Sequence, residues 1–278
     1  MPIPLAFGVK IPTGPAIARP PHRDAAVARA RRLTALADIL GFDYVFHAGQ
    51  ALSTESTLAL LGAARRLRVV APVSVTAWHP ALLARFGAVA ANVSGGRFAI
   101  DLRSGPHPND HRAEEFARIV RGLWSNAAVD VDGEHYQTRG LRPRVRPVAV
   151  PQIVVSGGWR AAPSLAARVG DWYLSAPIEA GAGPARIAAL EGEAAAAGRS
   201  VGFAVSASVA FDGGPAAPDE DEATLRGTPA EIADDLSQYA RSGIGLVVVE
   251  FADPEVDLPV FAREVIPLVN TVRAPARQ

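Results

Sequence analysis

The stretch Pro151 to Ala176, PQIVVSGGWRAAPSLAARVGDWYLSA, determines the fold class. Gln152 to Val155 is a short apolar run rich in β-branched residues, which predicts a buried strand. A glycine turn follows, and then a helical pattern over Ala161 to Val169 that ends at Gly170. Asp171 to Leu174 begins a second strand. A strand, a helix and a second strand in this order form a βαβ unit, so the sequence predicts a parallel sheet.

The turn inside this unit has the composition of an anion-binding site. Ser156, Gly157 and Gly158 precede a helix N-terminus, where free backbone N–H groups and the helix dipole favour a phosphate. The glycines permit close backbone approach, and Arg160 adds a planar positive group. The alternative is a tight turn that binds nothing, or an Arg160 that pairs with Asp171. This segment alone leaves these alternatives open.

Composition limits the class of protein. The 278 residues, of which 49% are hydrophobic and 20% charged, are enough for one large globular domain spanning 1–278. The net charge of +0 gives no indication of a nucleic-acid or membrane-surface partner. There is no cysteine, which excludes disulfides and thiolate chemistry. We find no signal-peptide pattern and no apolar run of membrane-spanning length, so we expect a cytoplasmic protein.

Along the chain, apolar strand patterns alternate with helical ones. The predicted strands are 5–11, 42–46, 67–74, 97–102, 152–155, 171–174, 201–211 and 246–251. The predicted helices are 23–40, 53–67, 80–93, 114–124, 161–169, 184–197, 229–242 and 258–269, with a hairpin near 132–136 and a polar loop over 212–222. This alternation predicts a (β/α)8 TIM barrel. An open doubly wound sheet is the alternative, but the first strand is not followed by GxGxxG.

In such a barrel the functional groups follow the carboxyl ends of the strands. His47 ends the second predicted strand and Glu250 the last, so both are candidate catalytic residues; Glu250 could instead pair with an arginine inside the barrel. Thr76 follows the third strand and is a candidate cofactor contact. His79 precedes the proline that begins a helix, and it could simply cap that helix. The sequence contains no plausible metal site, because the spacing of His107 and His111 is broken by prolines.

An ordered set of motifs resembles the bacterial luciferase-like monooxygenases and covers nearly the whole chain. The motifs are LGFD (40–43), ARRLRV (64–69), HPALLAR (79–85), VSGGRF (93–98), EEF (114–116), GLW (122–124), DGEHY (132–136), SGG (156–158) and GI (243–244). IPTGPAI (11–17) and DWYLSAPIE (171–179) are most similar to the alkanesulfonate monooxygenase branch, although this chain is shorter.

The resemblance implies a luciferase-like (β/α)8 barrel that binds reduced FMN, supplied by a separate reductase, or coenzyme F420. It implies a small-molecule substrate and a homodimer or homotetramer. Asp101 falls where the family places an asparagine facing the flavin ring, so it is a candidate base or ring-binding residue. Ser104 matches a family threonine. Trp159 and Arg160 replace the serines that follow the phosphate-binding glycines.

Departures from the alkanesulfonate branch concern its sulfonate-binding groups. Ser206 and Ser208 stand where that branch has an arginine and a histidine, and Ala176 stands where it has a tryptophan. We therefore expect a flavin-dependent monooxygenase or oxidoreductase whose substrate is not a simple alkanesulfonate. The alternatives are a non-catalytic, flavin-binding family member with a decayed site, and a barrel hydrolase without flavin, which the missing metal signature disfavours.

Assembly is predicted from two helices. Predicted helices 53–67 and 80–93 carry Leu60, Leu61, Leu83 and Phe86, more apolar side chains than one barrel contact requires. The resemblance places the dimer interface on the same helices.

Overall fold

Eight parallel strands close into a barrel surrounded by helices in the computed structural model, which describes residues 5–12, 22–48, 54–103, 111–125, 128–157, 161–178, 180–214 and 224–271. The strands are β1 (Ala6–Ile11), β2 (Tyr44–His47), β3 (Arg68–Ser74), β4 (Phe98–Arg103), β5 (Val129–Asp132), β6 (Gln137–Leu141), β7 (Gln152–Ser156), β8 (Trp172–Ser175), β9 (Gly202–Phe211), β10 (Thr224–Gly227) and β11 (Leu246–Phe251). The α-helices are α1 (His22–Ile39), α2 (Thr54–Ala63), α3 (Pro80–Ser94), α4 (His111–Trp124), α5 (Ala162–Val169), α6 (Gly183–Ala196), α7 (Pro229–Arg241), α8 (Pro254–Val260) and α9 (Ile266–Thr271).

The barrel order is β1-β2-β3-β4-β7-β8-β9-β11, and β11 returns to β1. Closure depends on β9, whose first half pairs with β8 while its centre pairs with β11. Antiparallel β5 and β6 form the predicted hairpin outside the barrel. The predicted (β/α)8 fold is confirmed. Among the helices described here, none is long and apolar enough to cross a membrane.

The barrel interior is filled by side chains from alternate strand positions. Its apolar cluster consists of Tyr44, Phe46, Val70, Ala99, Val154, Leu174, Ala204, Leu246 and Val248, with Ala6 and Trp172 against it. Small residues make room for large ones: a Cβ on Gly8 would lie 3.2 Å from the Phe46 ring. Because successive residues of a strand face opposite sides, the outward residues pack against the helices as a second, larger core.

The N-terminal end of the barrel is closed by an aromatic floor. The rings of Tyr44 and Trp172 meet edge to face at 6.5 Å. A side chain at Gly202 would collide with the Trp172 ring, so glycine is needed there. Tyr44 Oη donates a hydrogen bond of 3.2 Å to Gln152 Oε1. This floor, with the cluster above it, separates the two ends of the barrel.

The structure differs from the predicted elements in three places. The predicted polar loop is followed by β10, which extends the sheet by pairing with the end of β9. Helix α2 ends at Ala63, earlier than predicted. The last predicted helix begins earlier, at Pro254, and is interrupted by a π-helical turn over Phe261–Val265. Pro259 precedes this turn and Pro267 follows it. Because proline has no N–H, the regular series of helical hydrogen bonds is interrupted at both residues.

The dimer interface was predicted from residues that pack into the core of a single chain, so that prediction is wrong about the residues. Leu60, Leu61 and Leu83 are buried in the core of the single chain, and Phe86 is partly buried against it. The exposed apolar side chains of these helices are Leu58, Leu82, Val89 and Val93. Val89 and Val93 follow Leu82 by seven and eleven positions, so all three lie on one face of the helix. We call these three residues the α3 stripe.

The hairpin is anchored to α4 by one carboxylate. Glu115 accepts hydrogen bonds from the backbone N–H groups of Glu134 (2.9 Å), His135 (3.0 Å) and Tyr136 (2.9 Å). Burial raises the pKa of Glu115, but the three N–H donors outweigh it and the pKa is lowered overall. A Cβ on Gly133 would collide with this carboxylate, which explains the glycine in the DGEHY motif.

We expect Glu115→Gln to destabilise the protein by about 1.5–3 kcal/mol, the typical value of a hydrogen bond to a charged group. Because the folded-state pKa is lowered, this contribution is present above the ordinary glutamate pKa and is lost as pH falls through the folded-state value. Urea unfolding of the variant and of Glu134→Gln, an exposed neighbour, would test this. Equal stabilities for the two variants at neutral pH would contradict the anchoring role.

Candidate functional site

Polar side chains from several strands meet at the C-terminal end of the barrel. They surround a cavity of about 200 Å³, which we call the mouth cavity. It is lined by Lys10, Phe46, His47, Asp101, Arg103, Ser156, Gly157, Leu174, Ser175, Ala176 and Ser206. These residues come from β1, β2, β4, β7, β8 and β9 or follow them directly. The alternation that fills the interior with apolar residues thus brings polar residues together where the strands end.

Two ion pairs balance the charges at this end of the barrel. Arg103 Nε lies 2.6 Å from Asp101 Oδ2, and the Asp101 side chain is only 2% exposed. Lys10 Nζ lies 3.0 Å from Glu250 Oε2, across the β1–β11 pair. Each positive group at the mouth therefore has a carboxylate partner, and the described walls carry polarity without net charge.

Two buried oxygens in the mouth cavity have no hydrogen-bond partner among the residues that the structure describes. They are Asp101 Oδ1 and Ser206 Oγ. Leaving a buried polar group unsatisfied costs about 1–3 kcal/mol, so such atoms call for an explanation. Both belong to residues that line the same cavity, and a ligand that carries N–H or O–H groups would satisfy them.

His47 is held in its neutral form by its surroundings. The residue is 3% exposed. The pKa of His47 is lowered from 6.5 to about 4: burial lowers it most, a backbone hydrogen bond raises it, and the positive charge of Arg103 lowers it. At neutral pH the imidazole can thus exchange hydrogen bonds with a ligand without adding a charge to the mouth.

The predicted phosphate-binding turn begins at the rim of the mouth cavity. Ser156 is the last residue of β7, and Gly157 follows with φ of 132°, a conformation that other residues rarely adopt. Both line the cavity. Gly158, Trp159 and Arg160 lie outside the described residues. Helix α5 begins after Ala161, whose side chain makes no capping hydrogen bond.

Asp171, the alternative partner of Arg160, is already engaged. Its Oδ2 lies 2.8 Å from Arg121 Nη2 and accepts a 2.8 Å hydrogen bond from Ile153 N. Its Oδ1 lies 3.6 Å from Arg199 Nη2. This carboxylate ties α4 and the segment after α6 to the start of β7, and that structural role accounts for it.

The other predicted residues divide into those inside and those outside the site. Asp101 and His47 lie in the mouth cavity, as predicted. Glu250 does not line the cavity, but it forms an ion pair with Lys10, which does. Thr76 is exposed beyond β3, with its hydroxyl 2.9 Å from Ser74 Oγ. His79 caps α3 by accepting a hydrogen bond from Ala81 N at 3.3 Å, so the structural interpretation of His79 is the correct one. Ser104 lies outside the described residues.

Lys10 and Arg103 are not among the site residues named above from the sequence, although Arg103 begins the loop 103–111 that follows the fourth predicted strand. Both follow the period-two alternation of inward positions: Ala6, Gly8 and Lys10 along β1, and Asp101 then Arg103 along β4. Lys10 is the only lysine in the chain. Extending the inward register to the last residue of each strand would have identified both.

The family model for luciferase-like monooxygenases matches residues 5–224, which include β1 to β9 and most of the mouth cavity. The chain belongs to this family. The predicted family is thereby confirmed. This luciferase-like chain is 28% identical, over 321 aligned residues, to an FMNH2-dependent dimethylsulfone monooxygenase of Pseudomonas fluorescens (strain Pf0-1), covering 89% of this chain and 88% of the relative.

Solved structures of luciferase-like fold agree with the barrel. EDTA monooxygenase from Chelativorans sp. BNC1 superposes with a TM-score of 0.81 at 16% identity, covering 97% of this chain and 94% of that one. The coenzyme F420-dependent tetrahydromethanopterin reductase from Methanopyrus kandleri gives 0.77 at 15% identity, covering 95% and 99%. At these identities the likeness establishes the fold.

The lowered pKa of His47 predicts a pH-dependent stability. Between pH about 4 and 6.5 the unfolded chain binds a proton at this histidine and the folded chain does not. The free energy of unfolding should therefore fall by about 3 kcal/mol as pH drops through this window. His47→Gln should remove that part of the pH dependence in urea unfolding at pH 7 and 4.5. Equal slopes for the variant and the wild type would contradict the assignment.

Proposed function

We propose that this chain is a flavin-dependent monooxygenase that oxidises a small organic molecule in the mouth cavity. The observation that carries the proposal is the buried pair of unsatisfied oxygens, Asp101 Oδ1 and Ser206 Oγ, on the walls of that cavity. Family membership and the FMNH2-dependent relative support the reaction type. Reduced FMN delivered by a separate reductase is the proposed cofactor, with F420 as the alternative. When bound, it would supply the electrons for reaction with O2.

The cofactor phosphate is proposed to bind at the turn after β7. Ser156 offers a hydroxyl, and Gly157 leaves space for close backbone approach at the cavity rim. The uncapped start of α5 offers free N–H groups and the positive end of a helix dipole. Gly158, Trp159 and Arg160 connect the two and complete the proposed phosphate-binding segment, with Arg160 as its positive charge.

Asp101, Ser206 and His47 are the proposed ligand contacts deeper in the cavity. Asp101 Oδ1 can accept a hydrogen bond from an N–H or O–H group of cofactor or substrate, while Arg103 holds the other carboxylate oxygen in place. Ser206 Oγ can donate or accept. Neutral His47 can exchange hydrogen bonds with cofactor or substrate without adding a charge to the mouth. Ser104 and Thr76 remain proposed cofactor contacts on the loops outside the described cavity walls.

Glu250 is proposed to act through Lys10. The 3.0 Å pair fixes the ammonium group at the rim, where Lys10 lines the cavity and Glu250 does not. Removing the carboxylate would remove the ion pair that holds the lysine side chain at the rim. Glu250 is thus a positioning residue in this proposal.

The substrate is proposed to be small and without a sulfonate group. Ser206 and Ser208 leave β9 without a cation, and among the described residues the two cations of the mouth, Lys10 and Arg103, are already paired with carboxylates. A sulfonate would have to compete with Asp101 and Glu250 for those partners. A neutral molecule with hydrogen-bonding groups matches the cavity better.

The cofactor proposal predicts the effects of two substitutions on FMN affinity. Arg160→Ala should weaken FMN binding about 10- to 150-fold, the loss of one charge-assisted contact of about 1.5–3 kcal/mol. Gly157→Val should weaken FMN binding at least as much. A β-branched residue would have to adopt the positive φ of Gly157, and its side chain would fill the cavity rim. Fluorescence titration with oxidised and reduced FMN, and in parallel with F420, would measure both effects.

Riboflavin and Arg139→Ala serve as controls for this titration. Riboflavin has no phosphate, so Arg160→Ala should bind it as the wild type does. Arg139 is an exposed arginine on β6, and its removal should leave FMN affinity unchanged. Unaltered FMN binding in both Arg160→Ala and Gly157→Val would remove the turn from the cofactor site.

We also propose a homodimer through the α3 stripe. Leu82 and Val93 are 60% and 68% exposed, and Val89 is 41% exposed. Leu58 on the neighbouring α2 extends the same surface. Apolar side chains that recur on one helix face without a partner in the chain are typical of an interface between copies.

Light scattering should therefore give a mass twice the 29.0 kDa of one chain. Leu82→Glu combined with Val93→Glu should give a monomer, because two carboxylates cannot be buried against the partner's apolar face. Val256→Glu changes a similarly exposed apolar residue on α8 and should leave the mass unchanged. A wild-type monomer at micromolar concentration would refute this interface.

A further inference from the structure

A second cavity lies at the N-terminal end of the barrel, opposite the mouth. It encloses about 420 Å³ and is bounded by the segments that lead into β1, β2, β3 and β4. Three of its lining residues are arginines: Arg66, Arg68 and Arg97. We call it the arginine cavity. The aromatic floor and the interior cluster separate it from the mouth cavity.

The arginine cavity carries positive charge without a matching carboxylate. Among the described residues, none of its three guanidinium groups lies within 4.0 Å of a carboxylate oxygen. The single acidic lining residue is Asp43, whose Oδ2 instead accepts a 2.9 Å hydrogen bond from Phe7 N. The Asp38 carboxylate, which accepts hydrogen bonds from the backbone N–H groups of residues 65–67, lies close enough to Arg66 for the two charges to interact. Three arginines against Asp43 and Asp38 still leave an excess of positive charge in one concave surface of a chain whose net charge is +0.

Each arginine is held in place by a neutral acceptor. Arg66 Nη2 donates to Asp38 O at 2.8 Å, and Arg97 Nη1 donates to Leu61 O at 3.5 Å. Arg68 Nη1 donates to Gln152 Oε1 at 3.1 Å. These bonds use one nitrogen of each guanidinium, which has five N–H donors in all, and they neutralise no charge.

Arg68 adds an independent indication of a ligand. Its Nε is buried and has no hydrogen-bond partner among the described residues. Its Cζ lies 5.8 Å from the centre of the Tyr44 ring, so stacking on the floor fixes the guanidinium plane. An immobilised guanidinium with unused donors is suited to bind an oxyanion, because the planar group matches the oxygen spacing of phosphate and carboxylate.

We propose that the arginine cavity binds an oxyanion of the phosphate class, either inorganic phosphate or the phosphoryl group of a small phosphomonoester. A phosphate anion would balance this excess of positive charge. The site lies on the face of the barrel away from the mouth, so it is independent of the proposed flavin site and of the proposed reaction. Its occupancy should stabilise the fold by linkage, because the unfolded chain has no such site.

The test measures the melting temperature against phosphate concentration, with sodium chloride added to hold ionic strength constant. FMN is left out because it is itself a phosphomonoester, and the same titration of Arg160→Ala separates phosphate binding at the proposed flavin turn. Wild type should show a saturable rise in melting temperature that chloride alone does not produce. Arg66→Gln combined with Arg97→Gln should weaken the apparent phosphate affinity at least tenfold. Arg65→Gln, which removes an exposed neighbour outside the cavity, should retain wild-type affinity.

Two further measurements distinguish inorganic phosphate from a phosphomonoester and cover the case in which the double variant does not fold. Titration with glycerol 2-phosphate distinguishes a phosphomonoester from inorganic phosphate by which compound binds more tightly. If the double variant does not fold, Arg97→Lys, which keeps the charge and loses the planar fork, should still weaken phosphate binding. Phosphate affinity equal in the wild type and the folded cavity variants would overturn the proposal. FMN affinity should be unchanged in all of these variants, so a failure here is distinguishable from a failure of the proposed flavin site.

Discussion

The closed parallel barrel is the constraint on which the rest of the structure depends. In a closed sheet every second residue must face the interior, and eight strands leave room only for packed side chains there. Apolar and small residues such as Phe46, Val154 and Gly8 fill the middle of the barrel. Polar inward residues are tolerated only at the two ends, where the interior meets solvent. Both the mouth cavity and the arginine cavity follow from this restriction.

The two ends satisfy their polar residues in different ways. At the described part of the mouth, Lys10 and Arg103 each have a carboxylate partner, His47 is neutral, and Asp101 Oδ1 and Ser206 Oγ have no hydrogen-bond partner. At the opposite end the unsatisfied atom is the Nε of Arg68, and the arginines bond to neutral oxygens. The first arrangement is suited to a neutral group that donates hydrogen bonds, and the second to an anion. The floor built by Tyr44 and Trp172 keeps these environments apart.

The surface outside the barrel is organised by single carboxylates that bind backbone N–H groups. Glu115 holds the hairpin to α4, Asp171 joins α4 to the start of β7, and Asp38 accepts from the backbone of residues 65–67. Such contacts are invisible to hydrophobic periodicity because they depend on which loops meet in space. Asp171 fixes the start of β7, and Asp38 fixes the segment that leads into β3.

The sequence by itself determined the fold class, the family and most of the elements, because strand and helix periodicity and the ordered motifs are local properties. It also placed Asp101, His47 and the turn at Ser156 and Gly157 at the strand ends. Only the tertiary structure decided which strand ends converge, since pairing joins residues far apart in the chain. The tertiary structure showed that Lys10 and Arg103 line the mouth cavity and form ion pairs there, and that Glu250 does not line it. It also showed that Leu60, Leu61 and Leu83 are buried. β10 was missed for the same reason: its four residues form a strand only because the long β9 offers them an edge.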